Sequence, residues 1–280
     1  MEVFKAGTAL LAFLFIWIKG GSSFVLEQNC GTRTPSEFAP KIKNGADTSV
    51  FANPWMVKIN SERPCGGSLL TSRYVLTAAH CIFNSNMSVS LGEYEIQNPG
   101  KHCFLNGKCV PTAYKLNVDK KFVHRDFYNS KNDIALLRLE SEVEFSDFVK
   151  PICLIVKNNF SFMPLSFNIT GWGITKEEKL SRILQIATVG YLHKSLCNQK
   201  WEEMRLDGSQ LCAGDLKQGN DSCAGDSGGP LSSSITLADG SVRAFQFGII
   251  SKGSHFCSGV GIYTNVEHFR DWIVDVIRKN

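Results

Sequence analysis

Nothing in this chain stays apolar for the roughly twenty consecutive residues that a membrane-spanning helix needs. The nearest approach, Thr8 to Ile18, is too short, follows Lys5 and precedes the small residues Gly20-Gly21-Ser22-Ser23. That order is the pattern of a secretory signal over residues 1–23, so the protein is expected outside the cell and not in a membrane. Long runs of one charge are missing too. The 30 lysines and arginines are scattered among 26 acids, leaving a net charge of +4, and nucleic acid is not implied as a partner. No two cysteines stand in the C-x2-C spacing that zinc ribbons require. In an exported chain, ten cysteines predict disulfides instead, and no metal or other cofactor is called for. Internal repeats and low-complexity tracts are also lacking, which excludes solenoids and biased linkers.

What is present is a rhythm of strands. At 43% hydrophobic over 280 residues, the chain can hold one large core or two small ones. Apolar runs of strand length recur between turn residues: Trp55–Ile59, Ser68–Leu76, Ile134–Leu139, Leu184–Val189 and Phe245–Ile250. This favours an all-β barrel or sandwich over alternating βαβ units. The C-terminus breaks the rhythm, because Phe269, Trp272, Ile273, Val276 and Ile277 recur at helical spacing and predict one amphipathic helix. Residues 24–41 are short, polar and proline-bearing, too few for a core of their own.

Chemistry concentrates in three segments. Asn220-Asp221-Ser222-Cys223-Ala224-Gly225-Asp226-Ser227-Gly228-Gly229-Pro230 surrounds one serine with glycines, acids and a cysteine, a poor recipe for the interior of a strand or helix. Glycine lets backbone N–H groups turn toward a ligand, and a serine held there is a candidate nucleophile once a base takes its proton. Thr77-Ala78-Ala79-His80-Cys81 follows the Ser68–Leu76 run and supplies a candidate base at a strand end. Asn132-Asp133 opens another strand and supplies an acid. Taken singly, His80 is as readily a packed histidine, and Asp133 a strand cap.

Together, and in the order His, Asp, Ser, these segments resemble the chymotrypsin-like (S1) serine proteases, with the likeness running from about Ile42 to the C-terminus. The resemblance implies two antiparallel six-stranded β-barrels with the active site between them and a C-terminal helix outside. It implies that Ser227 attacks the scissile carbonyl, His80 shuttles the proton and Asp133 orients the imidazole, with the N–H groups of Gly225 and Ser227 as the oxyanion hole. Asp221, six residues before Ser227, matches the acid at the base of a trypsin-like pocket. Gly253 and Gly261 match its walls, and Ser251 matches the residue behind Asp133. Cleavage after Arg or Lys is the expected specificity. The implied bridges are Cys30–Cys153, Cys65–Cys81, Cys103–Cys109, Cys197–Cys212 and Cys223–Cys257. The Cys103–Cys109 insert is similar to that of insect clip-domain proteases, without the multi-cysteine clip itself.

Lys41-Ile42 resembles a zymogen activation junction, where the freed Ile42 ammonium pairs with Asp226. Residues 24–41 then form a short light chain tethered by Cys30–Cys153, and 42–280 the protease domain. The implied partners are protein substrates with Arg or Lys at the cleaved bond, an upstream activating protease and serpin-type inhibitors. Sequons at Asn86, Asn159 and Asn168 are candidate glycan sites. Three departures stand out. Lys43 follows Ile42 where an aliphatic is usual, Lys252 takes the place of an aromatic, and the Glu93 loop lacks a clear second acid before Cys103 to support calcium. Two other functions fit the same resemblance: a catalytically inactive homologue serving as a binding or regulatory module, and a digestive trypsin.

Overall fold

The computed structural model describes residues 25–33, 46–49, 52–96, 102–103, 109–110, 112–157, 163–175, 179–217, 222–253 and 259–280. In chain order the strands begin with β1 (Ala46–Asp47), β2 (Met56–Asn60), β3 (Cys65–Leu69), β4 (Tyr74–Thr77) and β5 (Ser88–Leu91). They continue with β6 (His102–Cys103), β7 (Cys109–Val110), β8 (Tyr114–Val123) and β9 (Ala135–Leu139). Then come β10 (Ser166–Gly171), β11 (Gln185–Leu192), helix α1 (Lys194–Lys200), β12 (Gln210–Gly214) and β13 (Pro230–Thr236). β14 (Val242–Lys252), β15 (Gly261–Asn265) and helix α2 (Arg270–Lys279) complete the chain.

Two antiparallel barrels result, as expected. The first closes in the order β2-β3-β4-β9-β8-β5. The second runs β11-β10-β13-β14-β15-β12 and closes by β11–β12 pairing, with β1 added on the outer side of β11. Barrel closure leaves no unpaired strand edge and gives each barrel its own interior. Trp55, Leu69, Leu76, Val89, Leu136 and Leu137 fill the first; Phe167, Val189, Leu231, Phe245 and Tyr263 fill the second. Each such side chain contributes about 1.5–3 kcal/mol by leaving water. Helix α2 buries Ile273 against the first barrel, and His124 packs edge-on to Phe269 with ring centroids 5.2 Å apart.

One expected strand is two. The run Ser68–Leu76 is broken after Leu69 by Thr71-Ser72-Arg73, where the Thr71 hydroxyl accepts from Tyr74 N–H at 3.1 Å. Leu70 N–H then bonds the Tyr74 carbonyl at 2.8 Å, and β4 returns antiparallel to β3. Threonine turns of this kind compete with strand continuation, and the flanking leucines and valine mask them. Helix α1 was not foreseen either. Its cap is His193, whose ring nitrogen accepts from Ser195 N–H at 3.4 Å.

Three bridges are as the resemblance implies: Cys30–Cys153, Cys65–Cys81 and Cys197–Cys212. Cys223 is disulfide-bonded, and its expected partner Cys257 lies outside the described residues. Cys103 and Cys109 face each other across β6 and β7, with their side chains outside the description. The segment before Arg33 is stapled to the second barrel by more than sulfur. Gly31 N–H bonds the Pro151 carbonyl at 2.7 Å, and Ala244 N–H bonds the Gly31 carbonyl at 2.9 Å. Among the described residues, no helix is long and apolar enough to cross a membrane.

Candidate active site

Asp133 sits where the two barrels meet, and both barrels hold it. It enters just before β9 from a loop whose Asn129 and Ser130 have φ of 43° and 65°. Tyr128 and Lys131 close that turn by mutual backbone hydrogen bonds of 3.1 and 2.8 Å. Asn and Ser tolerate the left-handed region better than β-branched residues do. Gln210 of the second barrel donates its amide to the Ser130 carbonyl at 3.0 Å, tying the turn across the cleft. Thr264 of β15 does the same for Asp133 itself, donating to its carbonyl oxygen at 2.8 Å.

The carboxylate of Asp133, 1% exposed, is saturated with donors. His80 N–H donates to Oδ1 at 2.9 Å, His80 Nδ1 lies 2.7 Å from Oδ2, and Ser251 Oγ donates to Oδ2 at 2.6 Å. Burial alone pushes this carboxyl up. The His80 ring bond, the His80 charge, the Ser251 hydroxyl and the His80 N–H outweigh it and hold the group below the usual carboxylate range. An ionised carboxylate only accepts, so His80 Nδ1 carries the proton and Nε2 is left basic. The imidazole side chain stays 34% exposed, open to the cleft. Its segment, a 3-10 turn at Ala79–Cys81 after β4, is braced by Cys65–Cys81. Those two sulfurs, near the ring, are bonded to one another and so are not thiolate ligands for a metal.

Ser227 precedes the first strand of the β13–β14 pair of the second barrel and is bonded to the first barrel. Its carbonyl accepts from Gly66 N–H of β3 at 2.7 Å, which stitches the serine loop to the strand beside the histidine turn. Thr77 Oγ1 donates to the Gly66 carbonyl at 2.8 Å, so one glycine carries both contacts. Gly228 has φ of 80°, and a Cβ there would strike Thr77 Oγ1 and the Gly66 carbonyl. Only glycine allows this approach. The N–H groups of Gly225 and Ser227 donate to no described residue. The Ser227 hydroxyl is likewise unbonded to His80 or any other described residue; in unliganded sites such a bond commonly forms only around substrate.

Asp226 is held by backbone instead. Its carboxylate accepts from Gly173 N–H at 2.7 Å and Cys223 N–H at 3.0 Å. The backbone of Gly171 and Gly173 closes over it so tightly that a Cβ on either would collide with it. Enclosure outweighs the two donors and pushes the carboxyl up to about 6. No cation pairs with it among the described residues. An apolar cavity of about 250 Å³ lies beside this loop, lined by Pro64, Ile96, Trp172, Leu180 and Gly225.

The structure therefore brings together His80, Asp133 and Ser251, and ties the Ser227 backbone to Gly66 of the first barrel. Gly253 packs against Ser222, whose carbonyl would stand 2.7 Å from a Cβ placed on it. Gly261 is buried at the start of β15, paired with Ala213. Asp221, Lys41, Ile42 and Asn159 lie outside the described residues. Asn86 is exposed, whereas the Asn168 amide oxygen in β10 accepts from Thr188 Oγ1 at 3.1 Å. Sequence reasoning missed Thr264, Gln210 and Gly66. Nothing local marks them, since each acts only through the partner the fold gives it.

The sequence pattern of the trypsin family matches residues 42–273. The Spaetzle-processing enzyme of Drosophila melanogaster is 36% identical over 269 residues, covering 84% of this chain and 66% of that protein. The phenoloxidase-activating enzyme of Bombyx mori is 34% identical over 273 residues, covering 85% of this chain and 60% of that protein. This chain thus spans about two thirds of the length of these relatives. A crystal structure of the Drosophila Grass clip serine protease of the Toll pathway superposes with a TM-score of 0.75 at 31% identity, covering 90% of this chain and 75% of that one.

Proposed function

The chain belongs to the trypsin family of chymotrypsin-like serine proteases and is similar to the insect clip-domain proteases, and from that premise we propose that it is a secreted endopeptidase zymogen cutting after arginine or lysine. The observation that carries this reading is the finished acid–base pair. Asp133 is ionised and fully bonded, so it fixes the His80 tautomer and can stabilise the imidazolium that forms when Nε2 takes the Ser227 proton. The Ser227 oxygen then attacks the carbonyl, and the developing oxyanion is met by the unused N–H groups of Gly225 and Ser227. Removing one such donor typically costs about 2.7–4 kcal/mol of transition-state stabilisation. His80 returns the proton to the leaving amine, and water repeats the sequence on the acyl-enzyme.

Specificity falls to Asp221, at the base of a pocket walled by Gly253 and Gly261, where an enclosed carboxylate demands a cationic partner. Activation falls to the Lys41–Ile42 bond. Cutting it frees an ammonium for Asp226, and joining the two reorders the loop that carries Gly225 and Ser227. Cys30–Cys153 then keeps residues 24–41 attached as a light chain. The signal at residues 1–23 places the protein outside the cell. The names of two relatives, the Spaetzle-processing enzyme and the phenoloxidase-activating enzyme, favour limited proteolysis of particular proteins, with an upstream protease as activator and serpin-type inhibitors as the brake.

The test uses the precursor, the same protein cut after Lys41, and the Lys41→Gln and Asp221→Ala variants, all assayed on a fluorogenic arginine peptide. The cut protein is expected to hydrolyse it, Lys41→Gln to stay inactive after treatment with the activator, and Asp221→Ala to lose its preference for arginine. Absence of hydrolysis by the cut protein, with no labelling of Ser227 by an organophosphonate, would make the chain a binding module instead.

A further inference from the structure

Lys252 is the last residue of β14, one position past Ser251, which bonds Asp133, and one position before Gly253, which packs on Ser222. It is half-buried, and among the described residues its ammonium has no anionic partner. Its one polar contact there is with the thioether of Met204, Nζ to Sδ 3.4 Å. A thioether is a weak acceptor and carries no charge. Met204 itself is 6% exposed and belongs to an apolar cluster with Leu206, Val260 and Ile262. An ammonium laid against such a cluster loses hydration, which is unfavourable unless an anion replaces the water.

The neighbouring acids among the described residues do not supply one. Asp133 is committed to His80 and Ser251. Asp207, three residues beyond Met204, is held by Ser209 and by Lys131 at 3.6 Å. Glu202 and Glu203, just before Met204, are exposed and form no ion pair with Lys252. On the endopeptidase reading, the Ser251–Lys252–Gly253 stretch that would wall the pocket for the basic side chain also flanks the substrate residues that precede it. We infer that Lys252 is a specificity-determining residue that selects protein substrates carrying an acidic side chain among the three residues before the cleaved Arg or Lys. This rests on the endopeptidase reading and adds to it the class of substrate: an acidic stretch followed by a basic residue, so that one end of the site reads positive charge and the other negative.

The experiment takes the protein cut after Lys41 and peptides with arginine at the cleaved position and either Glu or Gln at each of the three preceding positions. A charge-assisted bond in a partly desolvated site corresponds to about a tenfold preference in kcat/KM for Glu at one of these positions. That preference is expected to shrink as salt rises from about 0.05 to about 0.5 M, since screening acts on this pair. In Lys252→Gln the two peptides should be cut equally, and Lys252→Glu should favour Gln over Glu at the same position. Because each comparison is a ratio within one variant, misfolding removes both rates and cannot mimic equalisation. Equal rates on Glu and Gln peptides by the unaltered protein, or a Glu preference that survives in Lys252→Gln, would overturn the inference while leaving the protease reading intact. No cleavage of any peptide would overturn the protease reading and this inference together.

Discussion

Two enclosed aspartates, Asp133 and Asp226, have opposite acidities. Asp133 accepts from His80 twice and from Ser251 once, and it ionises more readily than an ordinary carboxyl. Asp226 accepts only two backbone N–H groups, and burial raises it to about 6. What separates them is the supply of charge, because backbone amides alone do not offset the loss of water. The first site is complete as folded. Among the described residues the second has no cation, and on the proposed activation the Ile42 ammonium would supply one.

Breaking the completed side should have the larger effect. Asp133→Asn keeps the shape but cannot hold the proton on His80 Nδ1, so kcat in the cut protein is expected to fall about 10⁴-fold, the typical consequence of removing the acid from such a relay. Burst and steady-state kinetics on the arginine peptide check it, and a loss below tenfold would separate Asp133 from catalysis. Its stability signature also has a definite sign. A lowered carboxyl stabilises the fold above its unfolded value near 4, and that contribution is lost as pH falls through the lower folded value.

The Asp226 side has the reverse sign. A carboxyl raised to about 6 is compatible with the fold while protonated, and its contribution is lost as pH climbs from about 4 through about 6. In the precursor, Asp226→Asn should therefore gain on the unaltered chain by on the order of 2–3 kcal/mol between pH 4 and pH 7, read by urea unfolding. In the cut protein the same change should be harmful, because the Ile42 ammonium would be left without its counter-charge. A broken buried pair costs about 3–5 kcal/mol, or roughly 10²- to 5 × 10³-fold in activity. Opposite outcomes in the two forms are the point of the experiment, and a penalty equal in both would reduce Asp226 to a packing residue.

The same contrast shows how much could be read from residues alone. Asp133, His80 and Ser227 stood in short segments with unusual composition, and the strand rhythm around them pointed to barrels. The opposite acidities of the two aspartates were not legible, because they depend on partners remote in the chain. Ser251 lies 118 residues from Asp133 and Thr264 lies 131 away, while Asp226 meets Gly173 across 53. Ser251 was anticipated only through family resemblance, and Thr264 not at all. The broken strand at Thr71–Arg73 failed for a different reason: its turn chemistry is local, but apolar neighbours on both sides hid it.

The smallest expected effect divides the support of Asp133 into its parts. Ser251 touches the carboxylate, whereas Thr264 touches the backbone carbonyl of the same residue. Ser251→Ala withdraws one donor from a buried anion, which typically costs about 1–3 kcal/mol, so kcat/KM in the cut protein should fall about tenfold. It should also raise the Asp133 carboxyl, moving the acid-side loss of stability to higher pH. Thr264→Val leaves the carboxylate's donors in place. It can weaken the seam between the barrels, but it has no means of moving that pH midpoint. If both variants shift the midpoint equally, Ser251 serves the seam and not the charge, and the acidity of Asp133 rests on His80 alone.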